Sequence, residues 1–179
     1  MQKGVTVWFT GLSGAGKTTI SRLVETKLIE SGIRVEAFDG DVVRRNLTAD
    51  LGFSKEDRQK NIERVAFVAK LLTRNDVIVL ASFISPYRQM RDYCRQEIGS
   101  FIEVFVKCSL AECIRRDVKG LYKKALNGEI PGFTGISDPF EEPDNPDIAL
   151  DTEIEEPVES AAKIIEYLKQ HRYITLERP

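Results

Sequence analysis

The octapeptide Gly11-Leu12-Ser13-Gly14-Ala15-Gly16-Lys17-Thr18 restricts this chain more than any other stretch. It follows an apolar run, Val5 to Thr10, whose β-branched and aromatic residues predict a buried strand. Beyond it lies a helix read from Thr19 to Leu28, with Ile20, Leu23, Val24 and Leu28 on one stripe. Strand, glycine-rich turn and helix are the context in which the pattern G-x-x-x-x-G-K-[ST] holds phosphate. Glycine lets the backbone bring its N–H groups close to an anion, and the helix N-terminus adds partial positive charge. Lys17 is then the expected contact to the β- and γ-phosphates, and Thr18 the expected magnesium ligand. A glycine turn matching by chance is the alternative, and both flanks speak against it. The stretch reads as a nucleoside-triphosphate site.

The chain of 179 residues fits one domain, read here as spanning 1–179. A net charge of −2 argues against broad binding to nucleic acid or anionic membranes, so phosphate recognition has to be local. No apolar run approaches bilayer length and Met1-Gln2-Lys3-Gly4 leads straight into the first strand, so no leader or membrane segment is expected. Cys94, Cys108 and Cys113 are odd in number and lack C-x-x-C spacing, which predicts reduced thiols in a cytoplasmic setting. His171 is the only histidine and lies near the C-terminus. Asp or Glu must therefore supply any general base.

Ile33 to Phe38 reads as a second strand, and Asp39-Gly40-Asp41 sits at its carboxyl end. Ligands of open parallel sheets bind beyond the carboxyl ends of strands, so these aspartates should share a crevice with the phosphate loop. A glycine turn alone would explain two exposed aspartates. Beside a phosphate loop, magnesium and an attacking hydroxyl both call for carboxylates there. Residues 42–64 are charge-rich, with Arg44, Arg45, Arg58, Lys60 and Arg64 around Phe53. A solvated helix is one account of them; an anion-binding rim with an aromatic platform is the other. Ser54 and Asp57 form a capping-box variant for a helix running to about Thr73, with Ile62, Val65, Ala66, Ala69 and Leu72 inward.

Asp76 to Ala81 reads as a buried strand. It lacks the terminal Asp of an ordinary Walker B strand, which leaves Asp39 and Asp41 as substitutes. Ser82 to Tyr87 follows as a loop, then a helix carrying Arg88, Arg91 and Arg95. Phe101–Cys108 is another strand, and Leu110–Arg116 a helix leading into a basic section. The glycine- and proline-rich stretch from Asn127 to Pro146 predicts a lid, with a lid region of about 115–146. Ile148–Asp151 reads as a short strand, and Pro157 opens a last helix with Val158, Ala161, Ile164, Ile165 and Leu168 on one face. The β-α alternation predicts an α/β, P-loop NTPase-type three-layer sandwich with a mostly parallel sheet. The aspartates after strand two suggest a small-molecule kinase, and no N-K-x-D guanine motif is present.

Three stretches stand together: Phe38-Asp39-Gly40-Asp41-Val42-Val43-Arg44, Leu51-Gly52-Phe53-Ser54-Lys55-Glu56-Asp57-Arg58 with Asn61-Ile62, and Phe83-Ile84-Ser85-Pro86-Tyr87-Arg88. In them the chain resembles the adenylylsulfate kinase family in its single-function form. The resemblance continues through Arg116-Asp117-Val118-Lys119-Gly120-Leu121-Tyr122-Lys123-Lys124 and Gly132-Phe133-Thr134-Gly135-Ile136, in order along nearly the whole chain. Two departures stand out: Val42 where the family usually has Asn, and Arg45 where it often has His.

The resemblance implies transfer of the ATP γ-phosphate to the 3′-hydroxyl of adenosine 5′-phosphosulfate, in sulfate assimilation, with Mg2+ and a homodimeric assembly. It implies ATP contacts from Gly11, Leu12, Ser13, Gly14, Ala15, Gly16, Lys17, Thr18 and Thr19, with Arg116 over the base. Thr18, and Asp39 through water, would hold magnesium. Asp41 would orient or deprotonate the acceptor hydroxyl, with Asp39 as the alternative. Arg44, Arg58 and Asn61 would hold the acceptor's phosphosulfate and sugar, while Phe53 and Phe133, the latter beside Gly132, bracket its adenine. Ile84 and Ser85 with Lys119 would complete the pocket. Ser85 is the family position described as a phosphoserine, yet a primary hydroxyl without a base is a weak nucleophile, and direct in-line transfer is the expectation. A kinase for a nucleoside or shikimate and a non-catalytic nucleotide-binding module are the rival readings.

Overall fold

The computed structural model describes residues 2–175. Its centre is a parallel sheet of β1 (Val5–Thr10), β2 (Val35–Asp39), β3 (Ile78–Ser82), β4 (Phe101–Lys107) and β5 (Ile148–Asp151), in the order β2-β3-β1-β4-β5. Because β1, β3 and β4 are covered on both faces, they are apolar almost throughout rather than alternating. Helices α1 (Lys17–Glu30) and α7 (Pro157–Gln170) cover one face, packing on Val5, Val7, Phe9, Ile78 and Leu80. Helices α3 (Lys55–Thr73) and α4 (Arg88–Ile98) cover the other, against Trp8, Val79 and Ala81. This is the three-layer sandwich the alternation predicts. Short helices α2 (Gly40–Asn46), α5 (Leu110–Arg116) and α6 (Leu121–Leu126) ring the carboxyl end of the sheet.

Several boundaries differ from the sequence reading, each for a local reason. Helix α1 starts at Lys17, because Gly16 at φ 109° turns the chain directly into it. Strand β2 begins at Val35, since Ile33 N–H still closes the end of α1 on Leu28 O at 3.0 Å. Strand β3 begins at Ile78, because Asp76 N–H and Val77 N–H bond back to Thr73 O and Leu72 O. Ser82, read as loop, is the last residue of that strand. Helices α2 and α6 were invisible to periodicity: they are 7 and 6 residues long, too short to show a stripe. Leu23 and Val158 do not join the core; they are 37% and 68% exposed. All other residues of those two stripes are buried.

Candidate functional site

The phosphate loop lies between β1 and α1 at the carboxyl end of the central strand. Gly14 and Gly16 take φ 77° and 109°, in the left-handed region that a side chain resists. Two residues far away in sequence brace the loop from behind. Tyr122 OH donates to Ser13 O at 2.8 Å, and Thr152 Oγ1 donates to Ala15 O at 2.8 Å. Neither had a local signal, although Thr152 follows β5, where the strand-end rule points. Arg116 stands on the same flank, donating to Thr152 O at 2.7 Å and to Glu112 at 2.8 Å.

Lys17 is buried, and its ammonium donates to Gly11 O at 2.8 Å and Leu12 O at 2.7 Å. Burial lowers its pKa to about 8; Lys119 adds repulsion, while Asp39 and Asp41 pull the other way. An anion placed in the loop would raise it again, because opposite charge favours the ammonium form.

The two aspartates share the crevice with Lys17 and Thr18, and their environments differ. Asp39 ends β2 and caps α2. One of its oxygens accepts from Asp41 N at 2.9 Å, and the other accepts from Thr18 Oγ1 at 3.0 Å. Asp41 is exposed, and its carboxylate is paired with Lys119, which reaches across from the segment between α5 and α6. Register sets Ser82 beside Asp39, and its hydroxyl is the one buried side-chain polar atom without a hydrogen-bond partner among the described residues. Thr18 and Asp39 are hard oxygen donors of the kind magnesium takes, few enough that phosphate and water must complete its shell. The donor set fits that ion.

The segments that the resemblance assigns to the acceptor are held by arginines gripping carbonyls. Arg44 donates to Gly52 O at 2.5 Å and lies over the Phe53 ring at 4.6 Å. Arg58 donates to Phe53 O at 2.9 Å, to Thr134 Oγ1 at 3.0 Å and to Gly132 O, with Asp138 at 3.4 Å. One guanidinium thus ties the two glycine-phenylalanine segments together, leaving Phe53 69% exposed. Phe133 is half-buried, edge-on to Tyr122 at 5.1 Å. Asn61 is buried and accepts from Thr48 Oγ1 at 2.7 Å. Ser85 is also buried: its hydroxyl accepts from Trp8 Nε1 at 3.1 Å and donates to Thr10 Oγ1 at 3.0 Å. Ile84 O accepts from Thr10 Oγ1 at 2.7 Å. Trp8, Thr10 and Thr134 were missed because they read as strand core or loop.

The segment between α5 and β5 closes over these groups. Gly135, at φ 91°, rests so close to the phosphate loop that an added Cβ would lie 3.2 Å from a Leu12 methyl. Among the described residues no helix is long and apolar enough to cross a membrane, and the three cysteines are free and buried.

Comparison with known proteins agrees with this geometry. Residues 3–151 match the family model described as adenylylsulphate kinase. The adenylyl-sulfate kinase of Halothermothrix orenii is 63% identical over 175 residues, covering 98% of this chain and 95% of that one. That of Picosynechococcus is 58% identical over 173 residues, covering 97% and 98%. The Mycobacterium tuberculosis APS kinase, solved in complex with AMPPNP and APS, superposes with a TM-score of 0.91 at 45% identity, covering 94% of this chain and 99% of that one. With crevice, loop and family model in agreement along the same residues, this chain belongs to the adenylylsulphate kinase family.

Proposed function

We propose that this chain transfers the γ-phosphate of ATP to the 3′-hydroxyl of adenosine 5′-phosphosulfate, forming 3′-phosphoadenosine 5′-phosphosulfate and ADP. The observation that carries the reading is the meeting of Lys17, Thr18, Asp39 and Asp41 in one crevice, with Lys119 closing on Asp41. Bound ATP with magnesium supplies an activated phosphoryl group and neutralises its charge. The chain's own work is positioning. Lys17 exchanges two carbonyl partners for phosphate oxygens, and the backbone around Gly14 and Gly16 cradles the tail.

The two carboxylates divide the remaining tasks. Asp39 has both oxygens committed within the protein, to Thr18 and to the backbone of Asp41, which suits holding the magnesium side of the site in place. Asp41 has only the half-exposed Lys119 to displace, so it is the group free to orient the acceptor hydroxyl and accept its proton. Phe53 offers an exposed ring to the acceptor adenine, and Phe133, on the lid segment, is the second ring that would bracket it. Arg44, Arg58 and Asn61 frame the phosphosulfate and ribose. Ser85, buried and bonded on both sides, serves as an anchor of the acceptor loop in a single direct transfer.

Segment 115–146 acts as the lid of a one-domain enzyme, and Arg116 borders the ATP base. The buried free thiols suit a reducing cytoplasm, and a homodimer is the expected assembly. A coupled ADP-release assay tests the activity. Turnover with adenosine 5′-phosphosulfate and none with AMP, nucleosides or shikimate is expected; equal turnover with another acceptor would overturn the substrate assignment.

A further inference from the structure

Arg91 has no part in the scheme above, yet it is the one buried arginine among the described residues. It is 2% exposed on α4, and each nitrogen of its guanidinium has a separate target. Nε donates to Glu103 Oε1 on β4 at 2.8 Å, one terminal nitrogen to Ser85 O at 2.7 Å, and the other to Glu141 O at 2.6 Å. The Phe140 ring lies 5.9 Å from the guanidinium carbon. Phe140 and Glu141 belong to the arm that leaves the lid, and Ser85 to the acceptor loop.

The same two segments are joined at further points. Glu141 N–H donates to Pro86 O at 2.8 Å, and the Glu141 carboxylate accepts from Arg88 N at 2.9 Å, capping the start of α4. Ser85 itself sits at φ 40°, a left-handed conformation that a non-glycine residue keeps only where its surroundings over-determine it. Trp8 and Thr10 hold its side chain, and Arg91 holds its carbonyl. Burying a guanidinium and a carboxylate is unfavourable unless every donor finds its acceptor, and here the fork meets three.

We propose that Arg91, oriented by Glu103, is a positioning residue that locks the Ser85 turn to the lid's outgoing arm and so sets the acceptor side of the pocket. It acts without touching either nucleotide. The claim rests on the acceptor-site reading given above for Ile84 and Ser85. Loosening it should weaken capture of adenosine 5′-phosphosulfate while leaving ATP binding, which the phosphate loop carries, unaltered.

Arg91→Lys in the full chain keeps the charge and loses the fork, since a single ammonium cannot meet three acceptors so spaced. Loss of charge-assisted hydrogen bonds predicts a rise of about tenfold or more in KM for adenosine 5′-phosphosulfate, with KM for ATP changed by less than about twofold. Glu103→Gln, which keeps one acceptor for Nε, should show a smaller rise with the same selectivity; it carries the test if Arg91→Lys does not fold. An unchanged acceptor KM, or parallel rises in both, would overturn the proposal. Trp8, the only tryptophan, donates to Ser85 and supplies a readout free of substrate. Its emission in the nucleotide-free variant should shift from that of the parent protein. If the parent protein does not phosphorylate adenosine 5′-phosphosulfate, the proposed function fails alone. Trp8 emission then decides the Arg91 link: a shift supports it, and an unshifted spectrum in the folded variant overturns it.

Discussion

The proposed donor and acceptor halves of this crevice are built by different means. The phosphate loop is one continuous stretch, and its shape comes from glycines at φ 77° and 109° between a strand and a helix. The acceptor half draws on four separate segments around Asp41, Phe53, Ser85 and the lid. It is held by side chains that span long distances in sequence: Arg58 to Gly132, Lys119 to Asp41, Arg91 to Glu141. A site made of backbone is encoded locally. A site made of arginine forks exists only once the chain has folded. The donor half, together with Asp41 as the group that meets the acceptor hydroxyl, should therefore fail mainly in catalysis when altered, and the rest of the acceptor half mainly in substrate capture.

The largest effect expected is from Asp41→Asn. Removing the carboxylate that only Lys119 holds should lower kcat by about 10²- to 10⁴-fold with ATP binding retained. Stopped-flow or steady-state ADP release alongside calorimetric ATP binding checks this. Near-normal turnover would transfer the base role to Asp39.

Lys17→Met should follow, with kcat lowered by about 10²- to 10³-fold, the size of losing one preorganised charge at the transferring group. The same variant isolates a pH effect in the nucleotide-free protein. The Lys17 pKa falls from 10.5 to about 8 on folding. Between those values the unfolded chain holds a proton that the folded one has released, so stability rises with pH across that window. Below about pH 8 both states are protonated and the buried charge is a constant burden. Relative to Lys17→Met, the parent protein should gain up to about 3 kcal/mol between pH 8 and 10.5, measured by urea unfolding. A flat difference would mean that Lys17 is not desolvated.

On the acceptor side, Arg58→Lys keeps the charge and loses the bridge between Phe53 O, Thr134 and Gly132. KM for adenosine 5′-phosphosulfate should rise by about 10- to 100-fold, with KM for ATP nearly constant. Equal changes in both would erase the division between the halves. The smallest effect concerns the seam between them. Gly135→Ala places a Cβ 3.1 Å from Leu110 and 3.2 Å from Leu12 at φ 91°. It should lower stability by about 1–3 kcal/mol, read as a drop in melting temperature, and a neutral result would show that the lid rests more loosely on the loop.

How much was legible in the sequence follows the same division. The strands and long helices were readable because burial on both sides of a parallel sheet imposes apolar runs, and a half-covered helix imposes a stripe. Short helices α2 and α6 left no such trace. Lys17, Thr18, Asp39 and Asp41 could be named from spacing and from the rule that ligands gather at strand ends. Phe53 and Arg58 could be named as candidates, but Arg58's hold on the lid, like the roles of Tyr122, Thr134 and Thr152, had no local signal.

Sequence by itself determined the order of the strands and long helices along the chain, the phosphate loop and the pair of aspartates, because each is a matter of neighbouring residues and backbone freedom. Tertiary structure alone decided that Asp39 is occupied by Thr18 while Asp41 faces Lys119, and that Arg91 joins the Ser85 turn to the lid. Those assignments depend on which donors and acceptors meet across tens of residues. Side-chain direction and burial settle that only after the sheet has brought its carboxyl ends together.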